Sequence, residues 1–295
     1  SQPHMAGGFM SGLTDLEHSV ESSTDAILPM MHLEPENPVW QRRALRLAQL
    51  METLWTGRNQ RGFLQFKSTY FTVDRVHPDP QKACDTPYHV RAVLPALLYW
   101  LRTGDDQVGR LLSDWMCTWV DAAARSENGK PAGILPAALH WPEGTIGGLS
   151  PAWWDPQNHG EPTLYQWPSA MSGLTDALLL TYHLTRDEKY LAPIRSMARM
   201  ALQHAGKPAG GETIPGSEAW CAARMGFLRG TLAKYRVLTG DDAFDRKVWQ
   251  ANSRKLEQAG AMVGEFSLSC PQGGDGTEGA IGSQSAGVTA KVVAW

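Results

Sequence analysis

The segment Leu101-Arg102-Thr103-Gly104-Asp105-Asp106 decides the fold, because it lies between two helical patterns at residues 88–102 and 107–124. Glycine commonly follows the last residue of a helix, and an aspartate side chain caps the next helix by accepting a hydrogen bond from a free N–H group. The segment therefore predicts a tight turn between two antiparallel helices.

The same arrangement occurs twice more along the chain. In the second copy, Thr185-Arg186-Asp187-Glu188 joins helical patterns at 167–184 and 189–203. In the third copy, Thr239-Gly240-Asp241-Asp242 joins helical patterns at 218–238 and 243–258. In each pair the first helix is apolar on most faces, whereas the second carries a polar stripe. A helix that is apolar all round is buried and a striped helix lies at the surface. The pattern therefore predicts three hairpins arranged as an inner and an outer layer.

The chain before these hairpins divides into two parts. Residues 1–34 are rich in Gly, Ser, Met and His and are predicted to form a poorly anchored arm, and Ser1-Gln2-Pro3-His4-Met5 is typical of a cloning remnant. A first helix is predicted to run from Pro38 to about Trp55, with proline at a favourable first position. We therefore expect one helical domain over residues 35–295. We expect this domain to be truncated, because the chain stops within a last segment at 278–295.

The three turn motifs, with inserts of unequal length between them at 126–166 and 205–217, resemble those of the six-hairpin glycosidase-like (α/α)6 toroids. The resemblance covers roughly residues 38–295 and implies an all-α fold, a toroid of helical hairpins with long irregular inserts. Such a toroid is a ring of twelve helices, and only about eight, with the start of another, can be counted here. The resemblance indicates a fold superfamily rather than a reaction.

Composition excludes several classes of partner. The 27 basic and 30 acidic residues are interspersed, with a net charge of -3, so a nucleic-acid partner is not expected. The longest apolar runs are far shorter than the roughly 20 residues of a membrane helix, so no membrane partner is expected either. The four cysteines form no CxxC pair and are too sparse for a disulfide scaffold. The compartment stays open between the cytoplasm and export with a removed signal.

In a toroid the N-terminal ends of all inner helices meet at one mouth, and the predicted site lies there. The segments that lead into these helices combine acids with aromatic side chains, an arrangement that suits sugars, because pyranose C–H faces pack on aromatic rings and glycosidic cleavage needs two carboxyl groups. The predicted residues of these segments are Asp85, Tyr88, His89, Arg91, Glu161, Tyr165, Trp167, Glu218, Trp220 and Glu278.

The insert at residues 133–168 adds further candidates, because long loops in a helical domain are often functional. Trp153, Trp154 and Trp167 are predicted to stack against sugar rings, with Trp141 and Asn158 as further binding residues. Glu143, Asp155 and Glu161 are candidate acid or base residues alongside Asp85, with Tyr88 or His89 as a possible general base.

Structural roles compete with each of these assignments. An acid at a helix start also serves as a cap or complements the helix dipole. The tryptophan-rich insert is equally consistent with an Ω-loop that packs on its own aromatic residues. His77, Asp79, Cys84, Asp85 and His89 match no metal-ligand spacing, so no metal is expected, and the sequence contains no cofactor motif.

Three functions remain open. The first is a glycoside hydrolase that acts on a poly- or oligosaccharide, with or without uronates, through an Asp/Glu pair. The second is a polysaccharide lyase in which Tyr88, His89 or Tyr165 removes a proton while Arg91 and Asn158 neutralise a uronate carboxylate. The third is a helical scaffold that binds a glycan or a protein without turnover.

Overall fold

The computed structural model describes residues 5–6, 9–10, 12–21, 23–157, 164–205 and 213–245. This part of the chain is helix-rich. Its α-helices are α1 Leu16–Glu21, α2 Thr24–Leu33, α3 Pro38–Leu50, α4 His89–Thr103, α5 Asp106–Ala124, α6 Met171–Thr185, α7 Ala192–Gln203, α8 Glu218–Arg224 and α9 Leu228–Thr239. Its strands are β1 Met5–Ala6, β2 Phe9–Met10, β3 Thr14–Asp15, β4 Thr56–Arg58, β5 Leu64–Phe66, β6 Tyr70–Phe71, β7 Cys84–Asp85, β8 Leu139–His140 and β9 Thr145–Ile146.

The predicted turns are confirmed, and they share one set of hydrogen bonds. In the first turn Gly104 has a φ of 67° and the Asp105 carboxylate accepts hydrogen bonds from the N–H groups of Gln107 and Val108, at 3.0 Å each. The Thr103 hydroxyl donates to the Tyr99 carbonyl at 2.8 Å. The turns after α6 and α9 repeat this arrangement, although Arg186 occupies the left-handed position that glycine holds in the other two.

The helices pack in two layers. α4 contacts α2 on one side and α6 on the other, and α6 contacts α9, so these four helices form a row that we call the inner layer. α5 packs against both α3 and α7, and these three form the outer layer. α4 is buried along almost its whole length, as the apolar composition of its sequence predicts. Helical hairpins in two layers are therefore present in the described residues.

Part of residues 1–34, the segment that we expected to be an arm, packs against the helical layers. Leu16, Val20, Ile27 and Met31 are almost completely buried, because apolar side chains at helical spacing on α1 and α2 pack against α4. α2 and α3 form a hairpin of their own, and the Asn37 side chain caps α3 by accepting from the Val39 N–H at 3.0 Å. The α1–α2 segment, which precedes the predicted boundary at residue 34, therefore packs with the helices that follow it.

The fold is also not purely helical, because short strands order the long connections. β7, β8 and β9 form a three-stranded antiparallel sheet, in which Asp85 pairs with Leu139 and Leu139 with Ile146. β4 pairs with β5, and β3 with β6. Apart from β3, which precedes α1, these strands lie in the connections that lead from an outer helix to the next inner helix. We call that end of the helices the mouth side, and the end with the tight turns the turn side.

Candidate functional site

Asp85, the first predicted catalytic acid, lies in the core. Its side chain is completely buried, and its Oδ2 atom accepts hydrogen bonds from the Trp115 indole N–H at 2.9 Å and the Phe66 N–H at 3.2 Å. Its Oδ1 atom lies 3.1 Å from Nδ1 of His89. The carboxyl group thus connects β5, β7, α4 and α5, and it has no surface that a substrate could contact.

His89, a predicted base, is equally buried. Its Nε2 atom lies 3.0 Å from the Ser68 carbonyl, and its ring stacks on Phe66 with the ring centroids 4.2 Å apart. The Thr86 N–H lies 2.9 Å from Nδ1, and the Asp85 carboxyl group approaches the same atom at 3.1 Å. His89 therefore fixes the start of α4 and is inaccessible to a polymeric substrate.

Tyr88 and Tyr165, which the sequence places 77 residues apart, meet at the mouth side. Their rings are in edge-to-face contact with centroids 5.3 Å apart and planes at 89°. Burial raises the pKa of Tyr165, and the negative charge of Asp15 acts in the same direction. The structure therefore brings together two of the three proposed lyase bases and holds Tyr165 in its neutral form.

The predicted stacking tryptophans form a cluster packed on itself. Trp153 and Trp167 contact each other with centroids 5.8 Å apart, and both also contact a second tryptophan, Trp154 and Trp220 respectively. The indole N–H groups of Trp153 and Trp167 donate to backbone carbonyls inside the fold. Most of the aromatic surface expected to bind sugar rings is thus buried, which agrees with the alternative of an insert packed on its own aromatic residues.

The remaining described candidates are dispersed. Glu143 lies 2.9 Å from Nδ1 of His140, and this hydrogen bond lowers the pKa of the Glu143 carboxyl. Trp141, in the same hairpin, is half-buried against Gly57. Asp155 accepts a hydrogen bond from the Gln166 amide at 3.1 Å, and Glu218 is exposed at the start of α8. No pair among these acids is brought together in the described residues. Asn158, Glu161 and Glu278 lie outside the residues that the structure describes.

A cleft between the described helices α4 and α6 combines a concave surface with charged groups. Arg91 is the predicted site residue that contributes to it, and Asp176 faces the cleft from α6. The rest of the wall is aliphatic. It is formed by Pro87, Val90, Leu94, Leu97, Ala170, Gly173, Ala177 and Leu180.

Two ion pairs extend the cleft into a row of charges across the inner layer. The Arg91 guanidinium donates to Asp25 of α2 at 2.8 Å, and the Lys234 ammonium of α9 donates to Oδ2 of Asp176. Burial raises the pKa of the Asp176 carboxyl, although the neighbouring Lys234 charge opposes the shift. The four inner helices α2, α4, α6 and α9 therefore each contribute one charged side chain to this row.

Asp25, Asp176 and Lys234 were not among the predicted site residues. A signal for Asp176 was available, because it is the one acid in the otherwise apolar sequence of α6, and an acid inside an apolar helix needs a partner or a function. The sequence gives no comparable signal that Lys234 and Asp25 would lie on the same surface. That surface depends on contacts between helices far apart in the chain.

Two further properties concern possible ligands. Within the described ranges, no three His, Cys, Asp or Glu side chains lie close enough together to hold a metal ion. Among the helices whose bounds are described, none has the length and apolar character that crossing a bilayer requires.

Comparison with known proteins transfers no function to this site: the chain matches no protein-family model, no curated protein sequence and no solved structure.

Proposed function

We propose that this protein is a carbohydrate-active enzyme, most specifically a glycoside hydrolase, and that its substrate binds at the mouth-side cleft between α4 and α6. In this proposal the two-layer hairpins are part of an α/α toroid, and the cleft faces its centre. The observation that carries the proposal is the row Asp25, Arg91, Asp176 and Lys234 on successive inner helices.

The chemistry of the row suits a hydroxyl-rich ligand. Charged side chains form stronger hydrogen bonds than neutral groups do, and Arg91 offers several N–H donors in a fixed geometry. Glycoside hydrolysis needs two carboxyl groups, and Asp25 and Asp176 provide two in the same row. The aliphatic wall around Arg91 and Asp176 offers apolar surface to the C–H faces of a sugar.

A polysaccharide lyase is the second candidate, and a specific contact favours it. Tyr88 and Tyr165 pack against each other at the start of α4, one turn from Arg91. Because burial holds Tyr165 in its neutral form, Tyr88 is the base in this proposal. A tyrosine close to an arginine can remove the proton next to a uronate carboxylate while the guanidinium stabilises the developing charge.

The test is to incubate the protein with a panel of neutral and uronate-bearing glycans and to record reducing ends and ultraviolet absorbance together. Reducing ends without absorbance are expected for the hydrolase, and both signals for the lyase, because elimination leaves an unsaturated sugar. Arg91→Gln is expected to lower turnover by about tenfold or more, since it removes a charged hydrogen bond.

Arg42→Gln is the matched control, because Arg42 is exposed on α3 of the outer layer. Tight glycan binding by a folded protein that releases no product would contradict both enzymatic proposals and favour the non-catalytic scaffold. Equal losses in the two arginine variants would contradict the assignment of the site to the cleft.

A further inference from the structure

We propose that Asn128 is a site of spontaneous modification, at which the side-chain amide is lost through attack by the backbone nitrogen of Gly129. The site lies in the connection between α5 and the three-stranded sheet β7–β8–β9. Asn128-Gly129 is the one Asn-Gly dipeptide in the sequence. The modification does not depend on the reaction proposed for the cleft.

The turn at residues 127–130 explains why this dipeptide is present. The Lys130 N–H donates to the Glu127 carbonyl at 2.9 Å, and Asn128 and Gly129 have φ values of 52° and 78°. Two central residues with positive φ are typical of a type I′ turn, in which Asn-Gly is strongly preferred. The conformation that the fold requires thus places an asparagine amide next to a residue whose backbone nitrogen no side chain shields.

The attacking nitrogen is accessible. Gly129 is exposed, and no described atom lies within 4 Å of the position that a side-chain carbon would occupy there. Among the described residues no acceptor engages the Gly129 N–H. Two other asparagines provide internal comparisons, because Asn59 is buried and precedes Gln60, whereas Asn37 precedes Pro38, which has no N–H.

One hydrogen bond holds the amide that the reaction removes. The Asn128 Nδ2 atom donates to the Ile146 carbonyl of β9 at 2.6 Å. β9 is an edge strand of its sheet, and Ile146 pairs with Leu139 of the central strand β8. The amide therefore ties the turn to this edge. The turn must open before the Gly129 nitrogen can reach Cγ of Asn128, so local opening controls the rate of the reaction.

The chemistry balances with water as the co-reactant. The Gly129 nitrogen forms a bond to Cγ of Asn128, the Cγ–Nδ2 bond breaks, and ammonia leaves with the proton of the Gly129 N–H. The product is a five-membered succinimide ring. Water then adds to one of the two ring carbonyl carbons and the ring opens, which yields aspartate or isoaspartate. The net reaction consumes one water molecule and releases one ammonia molecule, without oxidation or reduction.

Either product weakens the link to β9. A carboxylate at position 128 cannot donate a hydrogen bond, and it faces the Ile146 carbonyl, which is also an acceptor. It adds a negative charge next to Glu127, which forms ion pairs with Arg61 and Arg125. Isoaspartate also lengthens the backbone of the turn by one carbon. We therefore expect the modified chain to hold β9 less tightly.

The first measurement follows the modification in the whole protein. The purified protein is incubated at mildly alkaline pH, digested and analysed by mass spectrometry with electron-transfer fragmentation, which distinguishes isoaspartate from aspartate. Conversion is expected at Asn128 but not at Asn37 or Asn59. Asn128→Gln should abolish it, because glutamine must form a six-membered ring, which closes far more slowly. A protein that keeps the Asn128 amide while a synthetic peptide of residues 125–130 loses it overturns the proposal.

A second variant tests whether opening of the turn sets the rate. The Ser126 hydroxyl donates to the Lys130 carbonyl across the turn at 3.1 Å. Ser126→Ala should therefore ease opening and speed conversion at Asn128 by about threefold. Ser113→Ala is the control, because Ser113 lies on α5 outside the turn. A conversion rate that Ser126→Ala leaves unchanged overturns the inference that opening of the turn limits the reaction.

The last measurement tests the consequence for the sheet. Asn128→Asp reproduces one of the two products, and the amide hydrogens of β8 and β9 should exchange about fivefold faster in this variant, because one hydrogen bond to β9 is lost. Gln49→Glu is the matched control, since it makes the same change from amide to acid at an exposed position of α3. Equal exchange in Asn128→Asp and wild type overturns the inferred link between the amide and β9.

Discussion

The two ends of the helices differ in how the chain connects them. At the turn side, residues two to four positions apart make the hydrogen bonds, as Thr103, Asp105 and Gln107 do. At the mouth side, the Trp115 side chain donates to Asp85, 30 residues away, and the Gln65 amide donates to the Leu139 carbonyl, 74 residues away. Local hydrogen bonds stabilise one end, and bonds between distant segments stabilise the other.

This difference indicates where single substitutions should act most strongly. A turn residue supports one helix end and is exposed to water, which can replace a lost hydrogen bond. A buried mouth-side residue forms hydrogen bonds to several segments, and water cannot replace those bonds when they are lost. We therefore expect mouth-side substitutions to lower the free energy of unfolding by more than turn-side ones.

The largest effect is expected for Asp85→Ala. The change removes the acceptor for two buried N–H groups, from Trp115 and Phe66, and should lower the free energy of unfolding by about 4 kcal/mol. Denaturant unfolding followed by circular dichroism measures the change, with Asp114→Ala as the control at a half-exposed ion pair. An Asp85→Ala protein as stable as wild type would show that the buried carboxyl does not connect these segments energetically.

Lys130→Met is expected to have the next largest effect. The fully buried Lys130 ammonium donates to the carbonyls of Ala123, Pro131 and Ile134, at 3.1, 2.9 and 2.7 Å. Its removal leaves these acceptors unpaired and should lower the free energy of unfolding by about 3 kcal/mol at neutral pH. The exposed Lys189 gives the control, and Lys189→Met should change stability by less than about 1 kcal/mol.

Lys130 also predicts a pH dependence with a definite sign. Burial lowers the pKa of Lys130 from 10.5 to about 7. Between these values the unfolded state binds the proton and the folded state does not, so stability rises with pH; below about pH 7 both states are protonated. The difference in unfolding free energy between wild type and Lys130→Met should therefore grow between pH 7 and pH 10. A difference that stays constant over this range would contradict the shifted pKa.

Among the turn residues, Asp105→Ala should lower the free energy of unfolding by about 1 kcal/mol, because the N–H groups of Gln107 and Val108 lose their cap. Asp187→Ala removes the corresponding cap of the second turn. Asp241→Ala removes that of the third turn and also the acceptor of the buried Tyr235 hydroxyl, so its loss should be the largest of the three. Thermal unfolding measures the three variants, and a loss several times larger in Asp187→Ala than in Asp105→Ala would contradict the equivalence of the first two turns.

The smallest effect is expected to be a gain in stability. Arg186 has a φ of 60° at the position where the other two turns have glycine, and a side chain in this region is strained. Arg186→Gly should raise the free energy of unfolding by about 0.5 kcal/mol, and Gly104→Ala should lower it by about 1 kcal/mol. Thermal unfolding of the pair checks the sign, and a loss in Arg186→Gly would contradict the role of strain.

The same difference explains what could be predicted from the sequence. The turns at Gly104 and Gly240, and the described helices α4, α5 and α9 beside them, follow from hydrogen bonds and periodicity within a few residues. The helix predicted at 243–258 lies outside the described residues. The packing of α1 and α2 was not predicted, because their burial depends on α4, more than 50 residues further along the chain.

Prediction of the site was limited by the same physical cause. Asp85 and His89 have the residue types of a catalytic pair and stand at a helix start, and only their contacts with Phe66, Ser68 and Trp115 reveal that they lie in the core. Arg91 was predicted as a site residue and does line the cleft, because its position follows from the start of a single helix. The positions of Asp25 and Asp176 beside it could not be predicted in this way, because they depend on the order of the helices in space.

The row of inner helices also has a consequence for motion. α2, α4, α6 and α9 contact each other in chain order, so local opening of one helix exposes its immediate neighbours first. α4 packs against helices of both layers on several sides, and its amide hydrogens should exchange with solvent most slowly. Amides of α9, which lies at one end of the described row, should exchange faster. The cleft therefore lies between α4, the helix expected to be most protected, and α6. On its other side α6 contacts α9, the helix expected to open more readily.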